Sequence, residues 1–142
     1  MEHCLTLHHA SVIVADLKRS LVFYRDLLGM RLDPARPDIG FNGAWLTVGS
    51  QQIHLLELSN PDVQDAQVPR AQGCAGAAYP VSGRPAHGGR DRHFALTIRS
   101  LDALRQALDA AGVAYTLSLS GRRALFCRDP DGNALEFIEV AG

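Results

Sequence analysis

The pattern of apolar and polar positions is written twice along this chain. From His9 it reads His9-Ala10-Ser11-Val12-Ile13-Val14-Ala15-Asp16-Leu17, and from His93 it reads His93-Phe94-Ala95-Leu96-Thr97-Ile98-Arg99-Ser100-Leu101. Both runs are apolar and β-branched, as strands are, and each ends on a residue suited to cap a helix, Asp16 or Ser100. Behind the caps, Leu17, Leu21, Tyr24 and Leu28 fall on one helical face that Gly29 can close. Leu101, Leu104, Leu108 and Ala111 form the matching face, with Gly112 after it. Alternation then predicts strands over Ala44 to Val48 and Ile53 to Leu58, joined at Gly49-Ser50-Gln51. In the second half it predicts Ala124 to Arg128 and Ala134 to Val140, joined by Asp129-Pro130-Asp131-Gly132-Asn133, whose Pro and Gly suit a tight turn. Shorter strands are expected over Arg31 to Asp33 and Val113 to Leu119. Each half therefore reads as strand, helix, then a run of strands, which is an internal repeat.

Periodicity is lost between the halves. Gly73, Gly76, Gly83, Gly88 and Gly89, with Pro61, Pro69, Pro80 and Pro85, mark residues 60 to 92 as a loop or linker that could carry a short helix or a lid. The organisation expected is one domain over 1–142: a first module over about 5–60, a linker over about 61–90 and a second module over about 91–142.

Composition narrows the function classes. A net charge of −1 gives no electrostatic case for nucleic acid or a membrane surface. No apolar run approaches the ~20 residues that span a bilayer. Residues 1 to 10 have neither the basic nor the apolar region of a signal peptide. Cys4, Cys74 and Cys127 are odd in number and widely spaced, forming neither a disulfide framework nor a CxxC metal clamp, so a reducing cytoplasm is the expected location.

The chemistry-bearing residues are those that the repeat places in matching positions. His9 and His93 open the first strand of each half. His54 and Glu136 each follow an aliphatic residue, Ile53 or Leu135, in the last strand. Side chains alternate along a strand, so His9, Ser11 and Ile13 share a face, as do His54 with Leu56 and Glu136 with Ile138. Imidazoles and a carboxylate among apolar neighbours are costly unless they are paired or ligate a cation. If the halves pack with pseudo-twofold symmetry, His9, His54, His93 and Glu136 converge on one divalent metal of the Zn, Ni, Fe, Mn or Co kind. By strand parity His8 points away from the His9 face. Glu57 and Glu139 are out of phase with His54 and Glu136, as solvated or salt-bridged groups would be. His3 is terminal and His87 lies in the loop.

Three segments carry a resemblance: His8-His9-Ala10-Ser11-Val12-Ile13-Val14-Ala15-Asp16, then Phe23-Tyr24-Arg25-Asp26-Leu27-Leu28-Gly29-Met30, and Asp129-Pro130-Asp131-Gly132-Asn133-Ala134-Leu135-Glu136. In these the chain resembles the glyoxalase I / bleomycin-resistance / extradiol-dioxygenase, or vicinal oxygen chelate, superfamily. Phe41-Asn42-Gly43-Ala44-Trp45-Leu46 and Ile53-His54-Leu55-Leu56 are most similar to glyoxalase-I-like, that is lactoylglutathione lyase-like, members. The resemblance implies an α+β fold of paired βαβββ modules whose curled mixed sheets form a cupped cavity. It implies metal ligands at His9, His54, His93 and Glu136, one divalent ion per site, a small-molecule substrate and a homodimer. Glyoxalase I typically has a glutamate where this chain has His54, so here the ligand set carries one formal negative charge rather than two.

The function expected is a metal-dependent lyase or isomerase of glyoxalase I type, acting on a small substrate with vicinal oxygens through an enediolate. Glu136 or His54 is the expected catalytic base. Arg92, Arg122 and Arg123 are candidates for holding an anionic substrate group. Two alternatives remain open. Two histidines and a carboxylate could hold Fe²⁺ for extradiol dioxygenation of a catechol. A bleomycin-resistance-type protein would bind a ligand without catalysis; such proteins usually lack the ligand residues, and aromatics are only 6% of this chain.

Overall fold

The computed structural model describes residues 3–59 and 84–141. The expected loop or linker over 60–83, with Cys74, lies outside the described residues. The chain divides into two units, Met1–Asn60 and Pro61–Gly142.

The first unit holds β1 (His9–Val14), α1 (Leu17–Leu21), β2 (Arg31–Leu32), β3 (Gly43–Val48) and β4 (Gln51–Glu57). Its sheet runs in the order β1-β4-β3-β2. β1 is parallel to β4, with Ser11 opposite His54, and β3 is antiparallel to β4, with Trp45 opposite His54. The second unit holds β5 (His93–Ile98), α2 (Leu101–Ala110), β6 (Tyr115–Leu117), β7 (Ala124–Arg128) and β8 (Ala134–Glu139), preceded by a 3₁₀ turn, Gly88–Arg90. Its sheet order is β5-β8-β7-β6. β5 is parallel to β8, with Ala95 opposite Glu136, and β7 is antiparallel to β8, with Phe126 opposite Glu136. Each unit is thus a βαβββ module with a mixed four-stranded sheet, as the pattern of the sequence implies. No helix among the described residues is long and apolar enough to cross a membrane.

One face of each sheet is apolar and core-forming. Val12, Val14, Ile53 and Leu55 are buried in the first module, and Leu125, Cys127, Leu135 and Phe137 in the second. Burial and the nearby Asp129 carboxylate push the Cys127 thiol up to about 12, so it stays protonated and inert as a nucleophile at neutral pH.

The same apolar face carries a pair of matching helix supports. The Asp16 and Ser100 side chains accept from the N–H groups of Arg19 and Ala103, as their positions suggest. Glu57 and Glu139, each ending the last strand of its module, reach the helix N-termini as well. Glu57 Oε1 accepts from Leu17 N–H at 2.7 Å and Glu139 Oε2 from Leu101 N–H at 2.6 Å. Each satisfies a backbone donor that the helix itself leaves without a partner. Glu139 is also held by Arg123, whose hydrogen bond, with that of Leu101 N–H, lowers its carboxyl below the usual range.

The first helix departs from its expected form. Beyond α1 the turn widens into a π-helix over Val22–Leu27 before Gly29, at φ 74°, ends it. Phe23 and Tyr24 are adjacent and both buried, with ring centroids 5.1 Å apart. A wider turn brings neighbouring side chains closer to one face, which a regular α-helix does poorly.

Candidate metal half-sites

Opposite the helix-bearing face, each sheet presents polar and aromatic groups. In the first module the strand alternation puts His9 and Ser11 on β1, Gln52 and His54 on β4, and Trp45 on β3 on this one face. His54 is buried and lies flat between two rings. Its centroid is 4.1 Å from that of His9 with a 14° interplanar angle, and 4.7 Å from that of Trp45 with an 11° angle. His54 Nε2 is 2.9 Å from Gln52 Oε1, and Gln52 Nε2 is 2.6 Å from Asp33 Oδ2. His9 Nδ1 faces His8 Nδ1 at 2.8 Å, so one of the two rings supplies the proton. His8 therefore touches His9 despite its opposite parity: it precedes the first residue of β1, where the strand geometry that separates neighbouring side chains has not begun.

The His54 imidazole is held below the ordinary histidine range. Burial, which disfavours the charged ring, is the largest cause, followed by the positive charge that His9 and His8 can carry. The unfolded chain takes up this proton near 6.5, whereas the folded chain resists it. Stability is therefore fully present above that value, falls as the pH drops below it, and levels off once folded His54 is protonated. Urea midpoints at pH 7.5 and 5.5 are expected to drop further for the wild type than for His54→Gln. Equal drops would contradict this role for His54.

In the second module His93 on β5, Glu136 on β8 and Phe126 on β7 share the corresponding face. Glu136 is 4% exposed, and a carboxylate so placed is costly to bury without partners. His93 Nε2 stands 3.3 Å from Glu136 Oε2, and Arg122 reaches Glu136 Oε1 at 3.2 Å. Ser120 Oγ accepts from Arg122 Nε at 3.1 Å, orienting the guanidinium. The other nitrogen of His93, Nδ1, is 2.8 Å from the carbonyl oxygen of Asp91. A carbonyl only accepts, so Nδ1 carries the hydrogen. In neutral His93 the Nε2 lone pair then faces a carboxylate oxygen, an arrangement that needs a proton or a cation between them.

These pairs fit a divalent cation to different degrees. Ligands at about 2.1 Å from one ion, spread at tetrahedral or octahedral angles, stand roughly 3.0–3.4 Å apart. The His93–Glu136 separation of 3.3 Å falls in that range, and the Asp91 carbonyl gives His93 the kind of outer partner that metal-ligating histidines keep. His9 and His54 supply suitable nitrogens, but their near-parallel rings cannot both hold one cation in their planes, so joint ligation requires one ring to turn. Among the described residues, no three His, Cys, Asp or Glu gather into a metal-holding group within a unit. Each module holds one pair of its own, His9 with His54 and His93 with Glu136.

The remaining residues of interest are dispersed. Arg123 is directed to Glu139 and Asp102, on the helix-bearing side. Arg92 is exposed next to His93. His87, expected in the loop, begins the 3₁₀ turn, with Nδ1 2.6 Å from Thr116 Oγ1 and its ring edge-on to Phe126 at 4.9 Å. Phe126 also meets His93 edge-on at 5.3 Å. Gly88 and Gly89 make this approach feasible, because a Cβ on Gly89 would lie 2.7 Å from His87 Nε2. The adjacent Gly-Gly pair is the only sign of it in the sequence.

Twin βαβββ modules with ligand-type residues in matching positions define a recognisable class. Residues 6–137 match the Glyoxalase/Bleomycin resistance protein/Dioxygenase superfamily, and the chain belongs to that family. It is 27% identical to Glyoxylase I 4 of Arabidopsis thaliana over 140 residues, covering 94% of this chain and 70% of that protein. Its fold is similar to that of a glyoxalase family protein from Bacillus anthracis, with a TM-score of 0.68, 20% identity and 98% of each chain covered. It is also similar to lactoylglutathione lyase from Agrobacterium tumefaciens, with a TM-score of 0.60, 19% identity, and 97% and 96% of the two chains covered.

Proposed function

We infer that this protein is a metal-dependent lyase or isomerase of glyoxalase I type, which rearranges a small substrate with vicinal oxygens through an enediolate. The observation that carries this reading is the convergence of two lone-pair donors, His93 Nε2 and Glu136 Oε2, at 3.3 Å. The relatedness to a glyoxalase I at 27% identity supports it. The residues proposed to hold one divalent ion of the Zn, Ni, Fe, Mn or Co kind are His9, His54, His93 and Glu136. When bound, such an ion supplies Lewis-acid polarisation of a substrate carbonyl.

The chain's own groups divide the remaining work. Glu136 is proposed to stay a ligand: Arg122 already engages its Oε1 at 3.2 Å, and its Oε2 is the oxygen that faces His93 Nε2. His54, when its lone pair is not engaged by the ion, is the group proposed to take the substrate's α-proton: burial keeps its ring neutral at physiological pH, so it accepts a proton without first losing one. Arg122, already beside Glu136, is the arginine best placed to hold an anionic substrate group. Trp45 stacks on His54 and Phe126 meets His93 edge-on, so each pair has an aromatic neighbour. The reading includes a cytoplasmic homodimer, in keeping with free Cys4 and Cys127.

The test is turnover of a hemithioacetal of methylglyoxal and glutathione by protein loaded in turn with Zn²⁺, Ni²⁺, Mn²⁺ or Co²⁺. Activity with at least one ion is expected, and His54→Gln should lower kcat by about 10²–10⁴-fold, the usual worth of a positioned base. Oxygen uptake with a catechol under Fe²⁺, and no lyase turnover, would replace this reading with dioxygenation.

A further inference from the structure

In the first module Asp33, Gln52 and His54 form a chain of hydrogen bonds whose direction is forced. Asp33 follows β2, and its Oδ1 accepts from Ala35 N–H at 2.9 Å. Its Oδ2 lies 2.6 Å from Gln52 Nε2. An ionised carboxylate can only accept, so the Gln52 amide nitrogen donates to it. The amide oxygen of Gln52 is then the atom 2.9 Å from His54 Nε2. A carbonyl oxygen only accepts, so Nε2 of His54 carries the hydrogen, and a neutral ring must keep its lone pair on Nδ1. His93 is the reverse case, with its hydrogen on Nδ1 and its lone pair on Nε2.

We propose that Asp33 and Gln52 are positioning residues that fix the tautomer of His54, so that His54 meets the cation, or the proton it accepts, through Nδ1. The inference rests on the metal-dependent reading for its functional meaning but not for its first test. Two constraints hold the relay in place. Gln52 and His54 are two residues apart on β4 and share a face. The His54 ring is also clamped flat by Trp45 and His9, which blocks the ring turn that would exchange Nδ1 for Nε2. Because both stacking partners press on the ring faces, the hydrogen bond at one edge decides which nitrogen is left to act. Partners of this outer kind typically matter about 10–100-fold in metal affinity.

The experiment is long-range ¹H–¹⁵N correlation of the histidine rings in metal-free, ¹⁵N-labelled protein near pH 7.5. The expected spectrum shows His54 as the Nε2–H tautomer and His93 as the Nδ1–H tautomer. In Gln52→Leu, and more mildly in the near-isosteric Asp33→Asn, His54 should shift to a mixture of tautomers while His93 stays unchanged. A wild-type His54 protonated on Nδ1, or a His54 signal unaltered in both variants, overturns the relay. On adding Zn²⁺, the Nδ1 resonance of His54 should move while Nε2 keeps its hydrogen, and Gln52→Leu should weaken Zn²⁺ binding by about 10–100-fold. Ligation through Nε2 would overturn the proposal. Failure of Zn²⁺ to bind at all would count against the proposed function and leave the tautomer result to judge the relay separately.

Discussion

Replacing His93 with alanine is expected to abolish stoichiometric binding of a divalent cation, lowering affinity by more than about 100-fold, beyond the usual effect of losing an outer partner alone. The reason is local. The His93–Glu136 pair already has its donors at a ligating separation, and the Asp91 carbonyl holds the His93 ring so that Nε2 is the available nitrogen. Glu136→Gln should have a similar effect, because it removes the negative charge opposite the cation while keeping the shape. It also leaves Arg122 facing a neutral amide. Competition of Zn²⁺ between each variant and a chromophoric chelator reads the change. Near wild-type affinity in both variants would remove His93 and Glu136 from the ligand set.

The second large effect is expected from Asp91→Ala. Asp91 Oδ2 accepts from Arg84 Nε and from Arg128 Nη1, both at 2.7 Å, and Oδ1 accepts from Arg92 N–H at 2.8 Å. Arg128 is further tied to the carbonyls of Gly132 and Pro85. The Asp91 side chain is 8% exposed. Burial alone would raise its carboxyl, but hydrogen bonds from Arg128 and Arg84 outweigh that and hold it below the usual range. Removing the carboxylate strands two half-buried guanidiniums without their shared counter-charge. Breaking a buried pair from one side costs about 3–5 kcal/mol, and the urea midpoint should fall accordingly. Asp91→Asn, which keeps the acceptor oxygen and loses the charge, should fall less. The same loop delivers the carbonyl that orients His93, so metal affinity should fall in parallel with stability. A loss under about 1 kcal/mol in Asp91→Ala would mean that the arginines are solvated and the cluster holds nothing together.

Much of the fold is legible because the chain states it twice. Alternation predicts a strand over Ala124 to Arg128, and the strand covers those same residues; residue type and spacing predict the Asp16 and Ser100 caps, and both cap. The boundaries of β4 and β6 differ by a few residues from those the pattern predicts, as frayed ends do. What sequence could not show depends on pairing across strands. The widened turn in the first helix buries Ser20, Phe23 and Tyr24 and leaves Leu17, Leu21 and Leu28 only partly buried, a shift that the regular 17, 21, 24, 28 periodicity does not betray. Strand parity sets Glu57 and Glu139 on the face opposite His54 and Glu136, where the structure has them, and Glu139 is salt-bridged as expected. Their service to the helix N-termini emerges only from the parallel β1–β4 and β5–β8 pairings. Their shared position, three residues after His54 and Glu136, is the hint the sequence offers. Asp33 and Gln52 carry no motif, because Asp33 meets Gln52 only through the hairpin that brings β2 and β4 to either side of β3.

His93 and Glu136, with His9 and His54, are proposed to hold one divalent cation, and the assignment of function depends on that ion. Calorimetric titration of metal-free protein with Zn²⁺ or Ni²⁺ tests it most directly. Saturable binding of one ion per chain is expected, with proton release small because His54 is already neutral at pH 7.5. Absence of saturable binding would contradict it and leave the contact between His93 and Glu136 as an ordinary imidazolium–carboxylate pair.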